Sequence, residues 1–362
     1  VLARRLTFTL AIALVACGGL ARRNAPLHVA LGGGLCEERY TISRPPGGPY
    51  DRIGLDRVAR CAGGGANDPV VFYLPGMHMN GTLVRDDALA DVRHDLARAG
   101  ARVWSVDYRT HAVPADASPA ALEALAGWTP DVFADDATAA AAFAREHDTG
   151  PFFVAGFSYG AGLAYRLAGR GLPMRGLIIL DGAPPDGHAP EDGPPAIDVG
   201  GHRLPYDVRA QLLAAVLTDP AGPSPVPDFK TAGDALSETI YTVPSFGGKG
   251  GLSAAKSGVT DVRALAALLA TYDRWWPRAA LGGAAVATPA EPPPVLAFAS
   301  TAMGPAWTAR VRSGAQRFAG RRVRVHELRG YGHLDVLIAR DAERLVARPI
   351  VDFLAILAFA NP

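Results

Sequence analysis

The stretch Phe152-Phe153-Val154-Ala155-Gly156-Phe157-Ser158-Tyr159-Gly160-Ala161-Gly162-Leu163-Ala164-Tyr165-Arg166-Leu167 decides how the whole chain is read. It opens as a short apolar run, suited to a buried strand, and continues from Ala161 as a helix. Between them stands G-x-S-x-G. Glycines on both sides of a serine let the backbone turn sharply enough to hold its hydroxyl clear of a sheet. In a chain with 41 glycines the pentapeptide alone says little. The strand before it and the helix after it supply the context that gives the match its meaning.

Working outward, Val70-Val71-Phe72-Tyr73-Leu74 is a second continuous apolar run, entered from Asn67-Asp68-Pro69 and ended by Pro75-Gly76. A helix over Asp86 to Ala99, closed by Gly100, leads to a strand over Arg102 to Val106 and a helix over Asp131 to Glu146. Beyond the central stretch, Gly171-Leu172-Pro173 turns the chain into another apolar strand, Gly176 to Leu180. Strands alternating with helices imply a parallel sheet covered on both faces, with ligands at the carboxyl ends of the strands.

The rhythm stops over residues 184–294. Helices are expected near Tyr206 to Leu217 and from Asp261 to Trp276, separated by Pro220, Pro223, Pro225 and Pro227. It resumes after Pro292-Pro293-Pro294 with strands at Val295 to Ala299 and Val323 to Leu328 and a last helix from Asp341 to Leu357. The interruption reads as an insertion between core strands, placed to act as a cap or lid. The core is then 36–183 together with 295–362.

Composition narrows the partners. The 362 residues are 49% hydrophobic and 20% charged, with a net charge of +1, enough apolar material for a full globular core. Lysine occurs only at Lys230, Lys249 and Lys256, and arginine forms no long basic block, so nucleic acid is not an expected partner.

Residues 1–17 read separately: Arg4-Arg5, an apolar run from Leu6 to Ala16, then Cys17. The run is shorter than the roughly 20 residues needed to span a bilayer, and it fits an export signal. Leu14-Val15-Ala16-Cys17 also resembles a bacterial lipobox, which implies lipidation of Cys17, a membrane anchor through that lipid and a place in the cell envelope. The alternative is an ordinary cleaved signal and a periplasmic or secreted protein. Residues 18–35 are expected to be a flexible tether. Outside the cytosol thiols tend to pair, so Cys36 and Cys61, flanking two candidate hairpin strands, are either a disulfide or two buried thiols. No CxxC or histidine lies near them, and no metal site or cofactor is expected.

With these motifs in place the chain resembles the α/β-hydrolase fold: a mostly parallel sheet with helices on both faces and a cap inserted after the strand that follows the elbow helix. The resemblance covers the body from residue 36 except the insertion. It implies Ser158 as nucleophile and, in Gly330-Tyr331-Gly332-His333-Leu334-Asp335, His333 as the base. His78 is the one rival histidine near the site. The loop Leu74-Pro75-Gly76-Met77-His78-Met79-Asn80-Gly81 implies an oxyanion hole from the backbone N–H groups of Met77 and Tyr159, although the family's usual His-Gly is Pro75-Gly76 here. The family most often places its acid after the strand Val295 to Ala299, and from Pro292 to His326 there is no Asp or Glu. The next position the family uses is the end of the strand after the elbow helix, where Asp181 stands, with Asp186 and Asp335 as alternatives. The expected activity is ester cleavage by an exported serine hydrolase acting on a small or lipid-like ester. The same residues would serve a thioesterase, acyltransferase or peptidase, and an inactive binding module would lack one of them. Trp275 and Trp276, at the expected end of an insertion helix, would line a substrate pocket together with His78, or dock the insertion onto the core.

Overall fold

Apolar runs with no polar side to present to water must be covered on both faces, and here they form the middle of the sheet. The structure is a computed structural model that describes residues 27–81, 91–187, 189, 192–200, 204–241, 253 and 255–358. Its strands are β1 (Leu27–Ala30), β2 (Leu35–Ser43), β3 (Arg52–Arg60), β4 (Val70–Leu74), β5 (Arg102–Asp107), β6 (Phe152–Phe157), β7 (Gly176–Leu180), β8 (Ala196–Asp198), β9 (Trp275–Pro277), β10 (Val295–Ser300) and β11 (Val323–Leu328). Its α-helices are α1 (Val92–Arg98), α2 (Pro119–Leu122), α3 (Pro130–His147), α4 (Tyr159–Gly169), α5 (Tyr206–Thr218), α6 (Ala232–Tyr241), α7 (Val262–Ala270), α8 (Pro305–Ala319), α9 (Asp335–Ile338) and α10 (Arg348–Ala358).

The main sheet has the order β1-β2-β3-β5-β4-β6-β7-β10-β11. From β5 to β11 neighbouring strands are parallel, and β1 to β3 add to the β5 edge antiparallel. Strands β4, β6, β7 and β10 are buried along their whole length. β11 closes the far edge and turns Arg324 and Glu327 to solvent, which blunts that edge against pairing.

Strand alternation divides the core in two. Val71, Tyr73, Phe153, Ala155, Ile178 and Leu180 face α1, α9 and α10. Val70, Phe72, Leu74, Val154, Leu177 and Ile179 face α3, α4 and α8. The segment between β7 and β10 contributes to both: α5, α6 and α7 pack into the first cluster, and Ala196 and Trp276 into the second. It therefore straddles the sheet.

Three expectations change. The stretch expected to be a tether up to residue 35 contains β1, whose Leu27 lies opposite Arg39 and whose Ala30 lies opposite Cys36. An edge strand needs only one partner, and the long β2 supplies it. The expected helix through Trp276 stops at Ala270, and Trp275 and Trp276 lie on β9, with Trp276 opposite Ile197. Aromatic residues suit strands, and Pro277 biases the residue before it toward extended backbone. The last helix is preceded by a π-helical turn over Glu343–Ala347. The β2–β3 hairpin brings Cys36 and Cys61 to bonding distance, with Sγ atoms 2.11 Å and Cα atoms 4.9 Å apart. The leader, 1–17 with Cys17, lies outside the described residues.

Candidate active site

Ser158 sits between the end of β6 and the start of α4 with φ 54° and ψ −117°, a conformation that costs a residue with a side chain free energy unless its surroundings hold it. Two contacts hold it. The Ser158 N–H donates to the Leu180 carbonyl of the neighbouring strand at 3.1 Å. A methyl group built on Gly160 would overlap the carbonyl oxygens of Leu74 and Pro75, so the first turn of α4 rests directly on the end of β4. Only glycine permits that approach. Ser158 itself remains partly accessible.

Asp181 follows β7 at φ 48°, and its side chain is fully buried. Its Oδ1 accepts from the Ser300 N–H at 2.7 Å, and its Oδ2 accepts from the Ser300 hydroxyl at 2.6 Å and from His333 Nδ1 at 2.6 Å. A buried carboxylate needs such donors to replace water. Because a carboxylate oxygen accepts, Nδ1 of His333 carries the proton and Nε2 keeps the lone pair a general base requires. The imidazole is held between Phe157, the residue before Ser158, at 4.7 Å between ring centroids, and Trp307, edge-on at 5.5 Å.

The other candidate acids are occupied elsewhere. Asp335 is buried and accepts from the Ser253 and Thr260 hydroxyls at 2.7 and 2.6 Å and from the Gly332 N–H at 2.6 Å. Asp186 takes an exposed bond from Arg310 at 2.9 Å.

The loop carrying Met77 turns back on itself through a bond from Met79 N–H to the Gly76 carbonyl at 3.1 Å, which leaves Met77 37% exposed. The Tyr108 hydroxyl donates to the Pro75 carbonyl at 2.9 Å and fixes the start of the loop. Through Gly160 this loop lies against the helix whose first residue is Tyr159.

His78 has a different place from the one expected. It is 4% exposed, has φ 62°, and its Nδ1 donates to the Asp273 carbonyl at 3.0 Å. Burial pushes its pKa down to about 4, so the ring is neutral near neutral pH. Trp276 is wholly buried, 4.9 Å from the Tyr159 ring, 5.2 Å from Phe133 and 5.8 Å from both Tyr108 and His78. Trp275 donates its indole N–H to the carbonyls of Pro114 and Ala115. Both tryptophans thus lie where the insertion meets the core.

Sequence reasoning missed Ser300 and Trp307. Ser300 is the last residue of β10, the strand end where an acid was sought and not found. The missing acid was a signal: the position holds a donor to Asp181.

Neither a family model nor a curated protein sequence matches the chain. Solved structures do match. A candidate lipase from Sulfolobus solfataricus superposes with a TM-score of 0.69 at 23% identity, over 91% of this chain and 99% of that one. The chain has the α/β-hydrolase fold. A highly thermostable carboxyl esterase from Bacillus coagulans aligns more loosely, with a TM-score of 0.45 at 14% identity over 93% of this chain and 99% of that one. In the α/β-hydrolase fold of this chain, the strand ends of β4, β6 and β7 and the loop after β11 all reach one edge of the sheet.

Proposed function

We propose that this chain is a serine hydrolase that cleaves carboxylic esters of small molecules through an acyl-enzyme. The observation that carries the reading is the buried Asp181–His333 pair, in which Asp181, itself held by Ser300, sets the imidazole tautomer, packed against Phe157 beside the strained Ser158. An alcohol is a weak nucleophile near neutral pH without a base. In the proposed cycle Nε2 of His333 takes the Ser158 proton as Oγ bonds to the ester carbonyl carbon. Negative charge moves onto the carbonyl oxygen, where the N–H groups of Met77 and Tyr159 receive it, each such donor being worth about 10²–10³ in turnover. Collapse of the tetrahedral species expels the alcohol, which leaves with the proton from His333. Water, activated by the same nitrogen, then releases the acid and restores Ser158.

The leader-like residues 1–17 and the Cys36–Cys61 pairing both support a protein that works in an oxidising compartment after export, with Cys17 as the candidate lipid anchor. Incorporation of labelled palmitate in a bacterial host, lost in Cys17→Ala, tests the anchor.

The test of the chemistry is turnover of p-nitrophenyl esters from acetate to palmitate by the protein from residue 18, beside Ser158→Ala, with labelling by a fluorophosphonate. Turnover and labelling that both vanish in a folded Ser158→Ala support the reading. A parent inert to every ester and to the probe sinks it.

A further inference from the structure

The insertion grips the proposed oxyanion loop most heavily through Asp273. Its backbone N–H donates to the His78 carbonyl at 2.7 Å, and its own carbonyl accepts from His78 Nδ1 at 3.0 Å. Its carboxylate is 9% exposed as a residue, and Oδ1 accepts from the Asn80 amide at 3.0 Å and from His111 Nδ1 at 2.8 Å, while Oδ2 accepts from the Thr110 hydroxyl at 2.8 Å. The Asn80 amide reaches Thr271 O as well, at 2.6 Å. Residues 78 and 80 are therefore bonded through backbone and side chain to 271–273. His78 stands at φ 62°, a conformation that tertiary contacts must maintain. The carboxylate ties three pieces together: the loop after β4, the loop after β5 through Thr110 and His111, and the insertion. A second buried carboxylate, Asp335, joins the insertion residues Ser253 and Thr260 to Gly332 beside His333.

From this geometry we infer that Asp273 is a positioning residue: the insertion acts as a brace that holds the Met77–Asn80 loop in its oxyanion-binding shape, and does not swing away from it during turnover. The inference rests on the ester-cleaving reading of the same site. It requires that the loop by itself cannot keep its geometry, which a donor aimed at a developing charge must keep to within a fraction of an ångström.

Asp273→Ala removes three acceptor contacts but leaves the backbone. Asp273→Asn can keep two of them, with its oxygen at the Oδ1 position facing Asn80 and His111, and replace the third by a reversed bond in which its amide donates to the Thr110 hydroxyl. Three readouts are taken per active site titrated with fluorophosphonate: kcat and KM on one p-nitrophenyl ester, inhibition by an alkyl trifluoromethyl ketone that adds Ser158 as a tetrahedral mimic, and hydrogen exchange in the peptide spanning 74–81. For Asp273→Ala the expectation is kcat lower by about 10–100-fold with KM within about threefold, weaker inhibition in proportion to kcat, and faster exchange at 77–80. Asp273→Asn is expected to recover most of kcat and of the exchange protection. The inference is overturned if Asp273→Ala keeps kcat per titrated site, raises KM alone, or leaves exchange at 77–80 unchanged. It is equally overturned if Asp273→Asn behaves like Ala. A parent inert toward esters counts against the ester reading, and in that case the exchange comparison decides whether Asp273 braces the loop.

Discussion

Exchanging Asp181 for asparagine asks how much the proposed base depends on its carboxylate, and the structure fixes which way the new amide must face. The Ser300 N–H can only donate, and it points at the Oδ1 position at 2.7 Å, so the asparagine oxygen belongs there. Its NH₂ then occupies the Oδ2 position, 2.6 Å from His333 Nδ1 and from the Ser300 hydroxyl. The hydroxyl can rotate to accept. The imidazole has no such freedom: Nδ1 must give up its proton to accept from the amide, and the proton goes to Nε2. The lone pair that would take the Ser158 proton is lost. For a triad that loses its base in this way the fall in kcat is about 10⁴, or about 5 kcal/mol at 1.36 kcal/mol per decade. KM should change little, since no substrate contact is altered. The assay is kcat and KM on p-nitrophenyl butyrate, with active sites titrated and secondary structure checked by circular dichroism. A folded Asp181→Asn that retained more than about a tenth of parental kcat would refute Asp181 as the orienting acid.

Gly160→Ala should destabilise the fold by at least about 3 kcal/mol, because the added methyl meets the carbonyl oxygens of Leu74 and Pro75 and backbone cannot step aside; urea unfolding measures it, and an unchanged midpoint would mean α4 does not rest on β4 as described. Replacing Cys36 and Cys61 by serine opens a link across 25 residues and should cost about 3.5 kcal/mol of unfolding free energy by loop entropy, while kcat on a short ester stays unchanged. His111 has its pKa raised from 6.5 to about 9, first by its hydrogen bond to Asp273. A cation favoured in the folded state contributes stability fully below pH 6.5 and loses it as pH rises through about 9, so the melting temperature should decline across that window. Asp56, with its pKa raised to about 8 mainly by burial, adds a decline of the same sign, as its carboxyl is forced to ionise inside the fold. His111→Gln should therefore flatten the pH profile of the melting temperature in part, and an unaltered profile would contradict the assignment.

What the sequence made legible was what lies close together along it. The runs that became β4, β6, β7 and β10 are short, apolar and bounded by Pro, Gly or Asp, and each carries its burial in its own composition. The elbow is a local backbone demand, and the histidine loop follows a strand and precedes a helix. The nomination of Asp181 depended on finding no acid after β10, and the structure adds the reason that position mattered, since Ser300 stands there and bonds to Asp181. Features created by distant segments were hidden. β1 looks like tether because its pairing with β2 is not encoded in its glycine-rich surroundings. Trp275 and Trp276 continue a helical pattern on paper, and only the pairing of β9 with β8 makes them a strand. Asp273 reads as one more polar residue near the end of the expected helix, and its partners His78, Asn80, Thr110 and His111 are 162 to 195 positions away.

The tips of β7 and β10 meet at the proposed acid. These strands are neighbours in register, with Phe298 opposite Leu180, so Asp181 and Ser300 leave the sheet close together, and Ser300 bonds to the carboxylate that in turn holds the imidazole. The Ser300 hydroxyl lies 2.6 Å from the carboxylate oxygen that His333 also meets, so Asp181→Ser combined with Ser300→Asp would move the negative charge one strand over while the nucleophile and histidine are left unaltered. A lineage can make that move in two substitutions. Which strand bears the acid then matters less to the chemistry than the bond it makes to the histidine.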